Sequence, residues 1–147
     1  MVNMMKKNNI YFAGPWFTPE QRYEMDLVRE ISKYCENKYN VYFPVEHQFS
    51  TPKDTYNANV KEINNADIVV ALVSYKDVGT AYELGIATAL NKRIVLLAKD
   101  KSCFSNKTNI MLAFCTDTCI TMDNLKLFFE GKDFENVLIT NDWEGKE

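Results

Sequence analysis

The feature that most constrains the fold is a run of six apolar residues, IVVALV, at positions 68–73. The run is too short to span a membrane and is rich in β-branched residues, which predicts a strand buried on both faces of a parallel sheet. A polar turn over 74–79 and a helix of mostly small residues over 80–90 follow it. Strand, turn and helix in this order form the repeating unit of an α/β sheet.

Two carboxylates accompany this unit: Asp77 lies in the turn, and Glu83 lies in the helix six residues later. In an open α/β sheet, ligands bind in the crevice at the carboxyl ends of the strands. The ordinary alternative is that acidic residues near a helix start only complement the helix dipole. However, Glu83 stands among small and apolar residues, where a carboxylate costs free energy unless it has a use. We therefore predict a ligand site at Asp77 and Glu83.

Length, net charge and the absence of long apolar runs exclude several classes of protein. The 147 residues contain no linker, repeat or low-complexity segment, so we expect a single domain over 1–147. A net charge of −3 argues against a nucleic-acid partner, because neutralising phosphates requires clustered Lys and Arg. No apolar run approaches the roughly 18 residues of a membrane helix, and the first residues lack the apolar segment of a signal peptide. We expect a cytoplasmic protein without a membrane partner.

Neither a metal nor a cofactor is expected from the motifs. The four cysteines, which we expect to be reduced, form no C-x-x-C pair, and Cys115 and Cys119 lie far in sequence from His47, the one histidine. Gly79 and Gly85 are too sparse to form a phosphate-binding loop, and no G-x-S-x-G motif is present. Carboxylate chemistry remains, because a carboxylate can attack an anomeric carbon and pass the sugar to an acceptor with net retention.

The whole chain alternates strands and helices. Strands are predicted over 9–14, 40–44, 68–73, 93–98 and 118–122. Helices are predicted over 19–35, 56–65 and 80–90. A fourth helix is predicted to begin after a cap at Thr108 or Asn109 and to end at 114, and a fifth to begin after a cap at Asp123 and to end at 130. The segment 45–55 reads as irregular. With connections this short, the alternation predicts an α/β fold: a flavodoxin-like parallel sheet in the order 2-1-3-4-5, with helices on both faces.

Six segments, in order along nearly the whole chain, resemble nucleoside 2-deoxyribosyltransferases. They are IYFAGPWF (10–17), PVEHQF (44–49), YNANVKEINNADIVVALV (56–73), DVGTAYELGIA (77–87), TNIMLAF (108–114) and DWEG (142–145). The D-V-G-x-x-x-E-L-G block is the most specific of them. The resemblance implies a cofactor-free enzyme that transfers 2-deoxyribose from a 2′-deoxynucleoside to a free nucleobase.

The resemblance also implies the catalytic residues. Glu83 matches the nucleophile that attacks C1′ and holds deoxyribose covalently, Asp77 matches the acid that binds the sugar hydroxyls, and Tyr11 matches the tyrosine that orients the nucleophile. A second base then attacks the glycosyl-enzyme, which is exchange rather than hydrolysis. The ordinary alternative for Tyr11 is a core tyrosine with a satisfied hydroxyl.

Further residues match substrate-binding positions of the family: Trp16, Phe17, Gln48, Asn59, Gly79, Asn109 and Met111. Gln48 and the two aromatics match a wall that contacts the base, and Asn109, with Met111 nearby, matches a position reached by a neighbouring subunit's loop near the 5′-hydroxyl. Members form symmetric homo-oligomers, usually hexamers built from dimers, with sites completed across subunits. Apolar residues over 125–129 are compatible with such a contact and equally with the core.

Other structural alternatives accompany these assignments. Trp16 and Phe17 are also placed to form a hydrophobic staple before a cap at Thr18, and Asn109 is placed to cap a helix. His47 is interpreted as a surface loop residue.

Two departures from the family leave alternatives open. Asn59 stands where members carry an aspartate that protonates the departing base, and an amide cannot act as a titrating acid. The chain also lacks a terminal aromatic, although Trp143 and Glu144 are placed to take part of its role. The alternatives are an N-glycoside hydrolase of deoxynucleosides or their 5′-monophosphates, and a catalytically weak nucleoside-binding module. A bulky 14–17 loop without a hydroxyl favours an unphosphorylated nucleoside.

Overall fold

A computed structural model describes residues 7–35, 38–47, 49–104 and 109–137. The strands are β1 (Asn8–Ala13), β2 (Tyr39–Tyr42), β3 (Ile68–Leu72), β4 (Arg93–Ala98) and β5 (Cys119–Thr121). The helices are α1 (Pro19–Lys33), α2 (Pro52–Asn65), α3 (Val78–Ala89), α4 (Ile110–Ala113) and α5 (Leu125–Phe129). All strand pairs are parallel and the order is β2-β1-β3-β4-β5, which confirms the predicted topology.

Each face of the sheet packs against its own helices, because alternate residues of a strand point to opposite sides. Ile10 and Phe12 of β1 face α1 and α5, whereas Tyr11 and Ala13 face α2 and α3. Every residue of β3 is buried, as its apolar run predicts. The apolar residues of α5 also belong to the core on the α1 face, so they do not supply the subunit contact considered above: Leu125, Phe128 and Phe129.

Most predicted element boundaries lie within two residues of those observed, and the exception is α2. This helix begins at Pro52, four residues before the predicted start, because Thr51 caps it: the Thr51 Oγ1 accepts from the backbone N of Asp54 at 3.1 Å. A proline at the first helical position fits such a start. The predicted cap at Asp123 is also wrong, because Asp123 lies in a 3₁₀ turn before α5, where no side chain caps the helix.

The strand order reverses between β1 and β3, and this reversal places the crevice of an open α/β sheet at their carboxyl ends. The loop after β1 is held by the capping box of α1, in which Thr18 and Gln21 exchange hydrogen bonds of 3.1 Å. Gly14 allows this loop to pass close to β3, because a Cβ there would lie 3.2 Å from the Leu72 Cβ. The loop after β3 leads directly to Asp77 and α3.

Candidate active site

A hydrogen bond between Tyr11 and Glu83 lies at the centre of the site. The Tyr11 hydroxyl donates to Glu83 Oε2, joining residues that are 72 positions apart in sequence. Tyr11 is wholly buried in β1 and faces α3, and Glu83 reaches it from the second turn of that helix. The fold therefore brings together two of the three residues predicted to be catalytic.

Asp77, the third of these residues, caps α3. Its Oδ2 accepts from the backbone N of Thr80 at 2.8 Å and from the Thr80 Oγ1 at 2.7 Å. The negative charge of Asp77 acts on Glu83 and raises the pKa of that carboxyl. Capping thus fixes Asp77 at the sheet edge, close enough to influence the proposed nucleophile.

The environment of Glu83 tunes its protonation. Burial raises the pKa of Glu83 to about 7; the hydrogen bond from Tyr11 opposes this shift, and Asp77 adds to it. Burial and the adjacent Glu83 raise the pKa of Tyr11 far above its usual range, so the phenol stays a donor. Among the described residues no ion pair involves Glu83. The hydrogen bond from Tyr11 favours the ionised form of Glu83, which is the form that can act as a nucleophile.

A stack of three rings supports Tyr11 from the side of β2. Tyr42 is the register partner of Tyr11, and the two rings stack with centroids 5.7 Å apart. His47 stacks on the other face of Tyr42 at 4.3 Å with an interplanar angle of 7°. His47 is exposed, as its surface position predicts, but its stacking was not foreseen. Tyr42 was not predicted either, because the register of β2 against β1 is not visible in the sequence.

Two polar side-chain atoms on the α2 side of the sheet are buried without a hydrogen-bond partner in the described residues: the Asn59 Oδ1 and the Tyr42 hydroxyl. Asn59 lies on α2, which covers the same face of the sheet. A buried polar atom without a partner costs about 1–3 kcal/mol, so such atoms mark places where a ligand can bond. The buried oxygen also shows that Asn59 is not simply a solvated helix residue.

Trp16 and Phe17 lie in the loop after β1, at the predicted edge of the sheet. Their rings stack at 5.5 Å; Trp16 packs on the core of the α1 face, whereas Phe17 is 68% exposed. The Phe17 backbone N donates to Gln21 Oε1 at 2.9 Å, which fixes the loop. Because Phe17 is so exposed, it does not form the hydrophobic staple considered above, and it remains available to a ligand.

Asn109 and Met111, two further predicted binding residues, lie at the start of α4. The Asn109 side chain caps α4 by accepting from the backbone N of Met111 at 2.9 Å, and Met111 is 76% exposed. In the described part of the chain, no hydrogen bond joins either residue to Tyr11, Asp77 or Glu83.

Gly79 lies in the first turn of α3, where a Cβ would be 3.4 Å from Asp77 Oδ2. Gln48, Trp143 and Glu144 fall outside the described residues.

A second acid and phenol lie on the opposite face of the sheet. Glu24 of α1 is 6% exposed, and both of its carboxyl oxygens and the Tyr75 hydroxyl are buried close to each other. Burial and the neighbouring Glu24 raise the pKa of Tyr75. Glu24 was not predicted, because the helical periodicity of α1 identifies only its apolar residues.

Two cavities flank the edge strand β2. The larger, about 560 Å³, lies between β2 and α2 and includes Tyr42, His47 and Glu62 in its lining. The smaller, about 350 Å³, lies on the α1 side and includes Arg29 and Glu46. Neither Glu83 nor Asp77 lines these two cavities, and the larger one approaches the centre through Tyr42, whose ring stacks on Tyr11. We identify the site by its chemistry rather than by cavity size.

The described residues contain neither a metal-binding cluster nor a membrane-spanning helix. No three His, Cys, Asp or Glu side chains in these ranges come together as a metal site requires. None of the described helices has the length and apolar character needed to cross a membrane.

Known proteins share this sequence pattern and this fold. A family model described as nucleoside 2-deoxyribosyltransferase matches residues 10–132. The nucleoside deoxyribosyltransferase of Lactobacillus leichmannii is 29% identical over 145 residues, which covers 84% of this chain and 90% of that protein.

Solved structures agree with the sequence comparison in fold. A 2-deoxyribosyltransferase from Bacillus psychrosaccharolyticus is 21% identical with a TM-score of 0.65, covering 86% of this chain and 92% of the other. A CMP N-glycosidase of Clostridium botulinum is 16% identical with a TM-score of 0.59, covering 84% of this chain and 97% of the other. The α/β fold is therefore common to proteins that transfer a sugar and to one that releases a base.

Proposed function

The chain belongs to the nucleoside 2-deoxyribosyltransferase family, and from this premise we propose that it transfers 2-deoxyribose between nucleobases through an ester of Glu83, with net retention at C1′. The observation that carries the proposal is the hydrogen bond from the buried Tyr11 to Glu83, with Asp77 capping the same helix. These residues supply a nucleophile, a group that orients it, and a second carboxylate for the sugar.

In the first step, Glu83 attacks C1′ of a 2′-deoxynucleoside. A bond forms between a carboxylate oxygen and C1′, the C1′–N bond breaks, and its electron pair leaves with the base. Because Tyr11 occupies Oε2, Oε1 is the oxygen left for the attack. Partial burial weakens hydration of the carboxylate and favours its reaction with carbon.

In the second step, a free base attacks C1′ of the glycosyl-enzyme. The C1′–O bond to Glu83 breaks, and the carboxylate is regenerated with its hydrogen bond to Tyr11. Each step inverts C1′, so the exchange retains configuration. The incoming base loses its ring proton to solvent, and the departing base takes its proton from water, because Asn59 is an amide and does not titrate.

Substrate contacts follow the same geometry. Asp77 and the adjacent Gly79 are proposed to receive the sugar, and Trp16 and Phe17 are proposed to stack on the base, which tolerates several kinds of base. The buried Oδ1 of Asn59 is supplied with a donor when a base N–H reaches it.

Two further contacts are proposed near the ends of the substrate. Gln48 is proposed to contact the base. The Asn109 Oδ1 caps α4, which leaves the amide nitrogen of Asn109 to donate to a 5′-hydroxyl beside Met111.

We also propose that the protein is a homo-oligomer based on dimers, in which a loop of a neighbouring subunit reaches the site near Asn109 and α4. The residues that support this are exposed apolar side chains on or beside α4: Ile110, Met111 and Phe114. An apolar group of this kind is typical of an interface.

The test is an exchange assay with thymidine and free adenine, with products separated by chromatography. Formation of 2′-deoxyadenosine supports the proposal. Thymine and deoxyribose without exchanged nucleoside identify a hydrolase, and binding without either product identifies a nucleoside-binding module.

A further inference from the structure

Thr80 is a buried polar residue that touches no reacting atom in the proposed reaction. Its side chain is 3% exposed. Its hydroxyl and its backbone N both donate to the same oxygen, Asp77 Oδ2, at 2.7 and 2.8 Å. Two donors from one residue therefore converge on one side of the Asp77 carboxylate.

Helix capping requires only one of these two bonds. A capping aspartate satisfies the helix when it accepts from the backbone N of the third helical residue, which here is Thr80. With that bond alone the carboxylate can still turn about its own axis. The second donor sits on a β-branched side chain of restricted rotation, so it fixes the direction of the carboxylate. The hydroxyl thus adds a constraint that the helix does not need.

The constraint leaves the other oxygen of Asp77 for a ligand. Within the described residues, the hydrogen bonds of the Asp77 side chain both fall on Oδ2. Asp77 is only partly buried, and its charge acts on Glu83, so Oδ1 is an available acceptor beside the proposed nucleophile.

We propose that Thr80 is a positioning residue, which directs Asp77 Oδ1 toward a hydroxyl of the deoxyribose and so sets the preference for sugars that carry this hydroxyl. The inference rests on the proposed function. A fixed acceptor discriminates strongly against a sugar that lacks the hydroxyl, because the analogue leaves a desolvated carboxylate oxygen unpaired. A rotating carboxylate discriminates less.

The test compares substrates as well as variants. Thr80→Val removes the hydroxyl at constant shape, Thr80→Ser restores it, and Thr88→Val removes a hydroxyl from the same helix that bonds only a helix carbonyl. Each protein is assayed with 2′-deoxyadenosine and with analogues that lack the 3′- or the 5′-hydroxyl.

We expect Thr80→Val to lower kcat/KM for the complete nucleoside about tenfold. The loss should shrink to less than about twofold for the analogue that lacks the hydroxyl bound by Asp77, because mutation and deletion remove the same interaction. Thr80→Ser should retain most of the activity, and Thr88→Val should leave every ratio unchanged.

Several results overturn the inference. If Thr80→Val lowers kcat/KM equally for all three substrates and also lowers the thermal midpoint of unfolding, Thr80 is a structural residue only. If the kinetics of Thr80→Val are unchanged, Thr80 has no role in positioning Asp77. A further loss when Thr80→Val is added to Asp77→Ala shows that Thr80 does not act through Asp77. If Thr80→Val does not fold, Thr80→Ala makes the same comparison. Failure of the proposed function is distinct, because the unaltered protein then shows no exchange.

Discussion

Two pairs of a carboxylic acid and a phenol lie on opposite faces of one sheet, and they differ in what surrounds them. On the α2–α3 face, Tyr11 donates a hydrogen bond to Glu83, and Asp77 stands nearby at the start of the same helix. On the α1 face, the carboxyl oxygens of Glu24 and the Tyr75 hydroxyl are hidden from solvent and interact with each other.

The difference lies in solvent access and in the neighbouring groups, so burial alone does not decide which acid we propose to be catalytic. Glu24 is the more deeply buried of the two acids, but a carboxylate without accessible surface cannot meet a substrate. Glu83 keeps partial access to solvent, a hydrogen-bond donor that orients one oxygen, and a second carboxylate, Asp77, close enough to raise its pKa. We therefore attribute the chemistry to the pair on the α2–α3 face and a packing role to the other.

The largest expected effect comes from neutralising each acid in turn. Glu83→Gln removes the nucleophile and keeps the shape, so we expect exchange to fall by at least about 10⁴-fold. Glu24→Gln is the matched change on the other face, and kcat/KM should stay within about threefold. Steady-state assays with circular dichroism as a check on folding make the comparison. Substantial exchange by Glu83→Gln, or a comparable loss in Glu24→Gln, would reverse the assignment of the two faces.

Removing each phenol hydroxyl sharpens the comparison. The bond from Tyr11 stabilises ionised Glu83, so Tyr11→Phe should raise the pKa of Glu83 above its value of about 7. We expect kcat/KM at neutral pH to fall about 10- to 100-fold, with the acid limb of the pH profile moving to higher pH. Tyr75→Phe should leave that limb in place. Identical pH profiles for the two variants would contradict the account.

A smaller effect is expected at Asn59, which belongs to the α2–α3 face only. Asn59→Asp supplies a group that can protonate the departing base, so we expect up to about a tenfold rise in rate and an added basic limb in the pH profile. Pre-steady-state release of the base measures this directly. If both rate and pH dependence stay unchanged, protonation of the leaving group is not limiting.

The smallest expected effect concerns stability. The folded state raises the pKa of Glu83 from 4.5 to about 7, so between these values the folded protein binds more protons than the unfolded one, and the free energy of unfolding falls as pH rises. Glu83→Gln removes this cost. We expect a gain on the order of 1 kcal/mol at about pH 8.5 and little change near pH 4, measured by denaturant unfolding. A gain that is the same at both pH values would argue against the raised pKa.

The sequence was informative where apolar runs and short motifs decide the structure. The apolar run over 68–73 predicted the buried strand, the alternation of elements predicted the sheet order, and the D-V-G-x-x-x-E-L-G block pointed to Asp77 and Glu83. The contact between Tyr11 and Glu83 followed from the resemblance, since no local rule pairs residues 72 positions apart.

Other features depend on tertiary contacts that local patterns do not record. Tyr42 stacks on Tyr11 because of the register between β1 and β2, and His47 joins the stack from a 3₁₀ turn. The burial of Glu24 likewise arises from the packing of α1 against the sheet, which local patterns do not record. The Thr80 hydroxyl is a similar case, because the sequence shows a helix start but not which way a capping carboxylate is held.

The most direct test of the account is to trap the sugar on the enzyme. The protein is mixed with a 2′-deoxynucleoside, quenched with acid during turnover, digested and analysed by mass spectrometry, with Glu83→Gln as the control. The account predicts that the peptide containing Glu83 gains the mass of one deoxyribosyl group, and that the adduct disappears when a free base is added before quenching. Exchange that proceeds with no adduct, or with the sugar on a different residue, would contradict it.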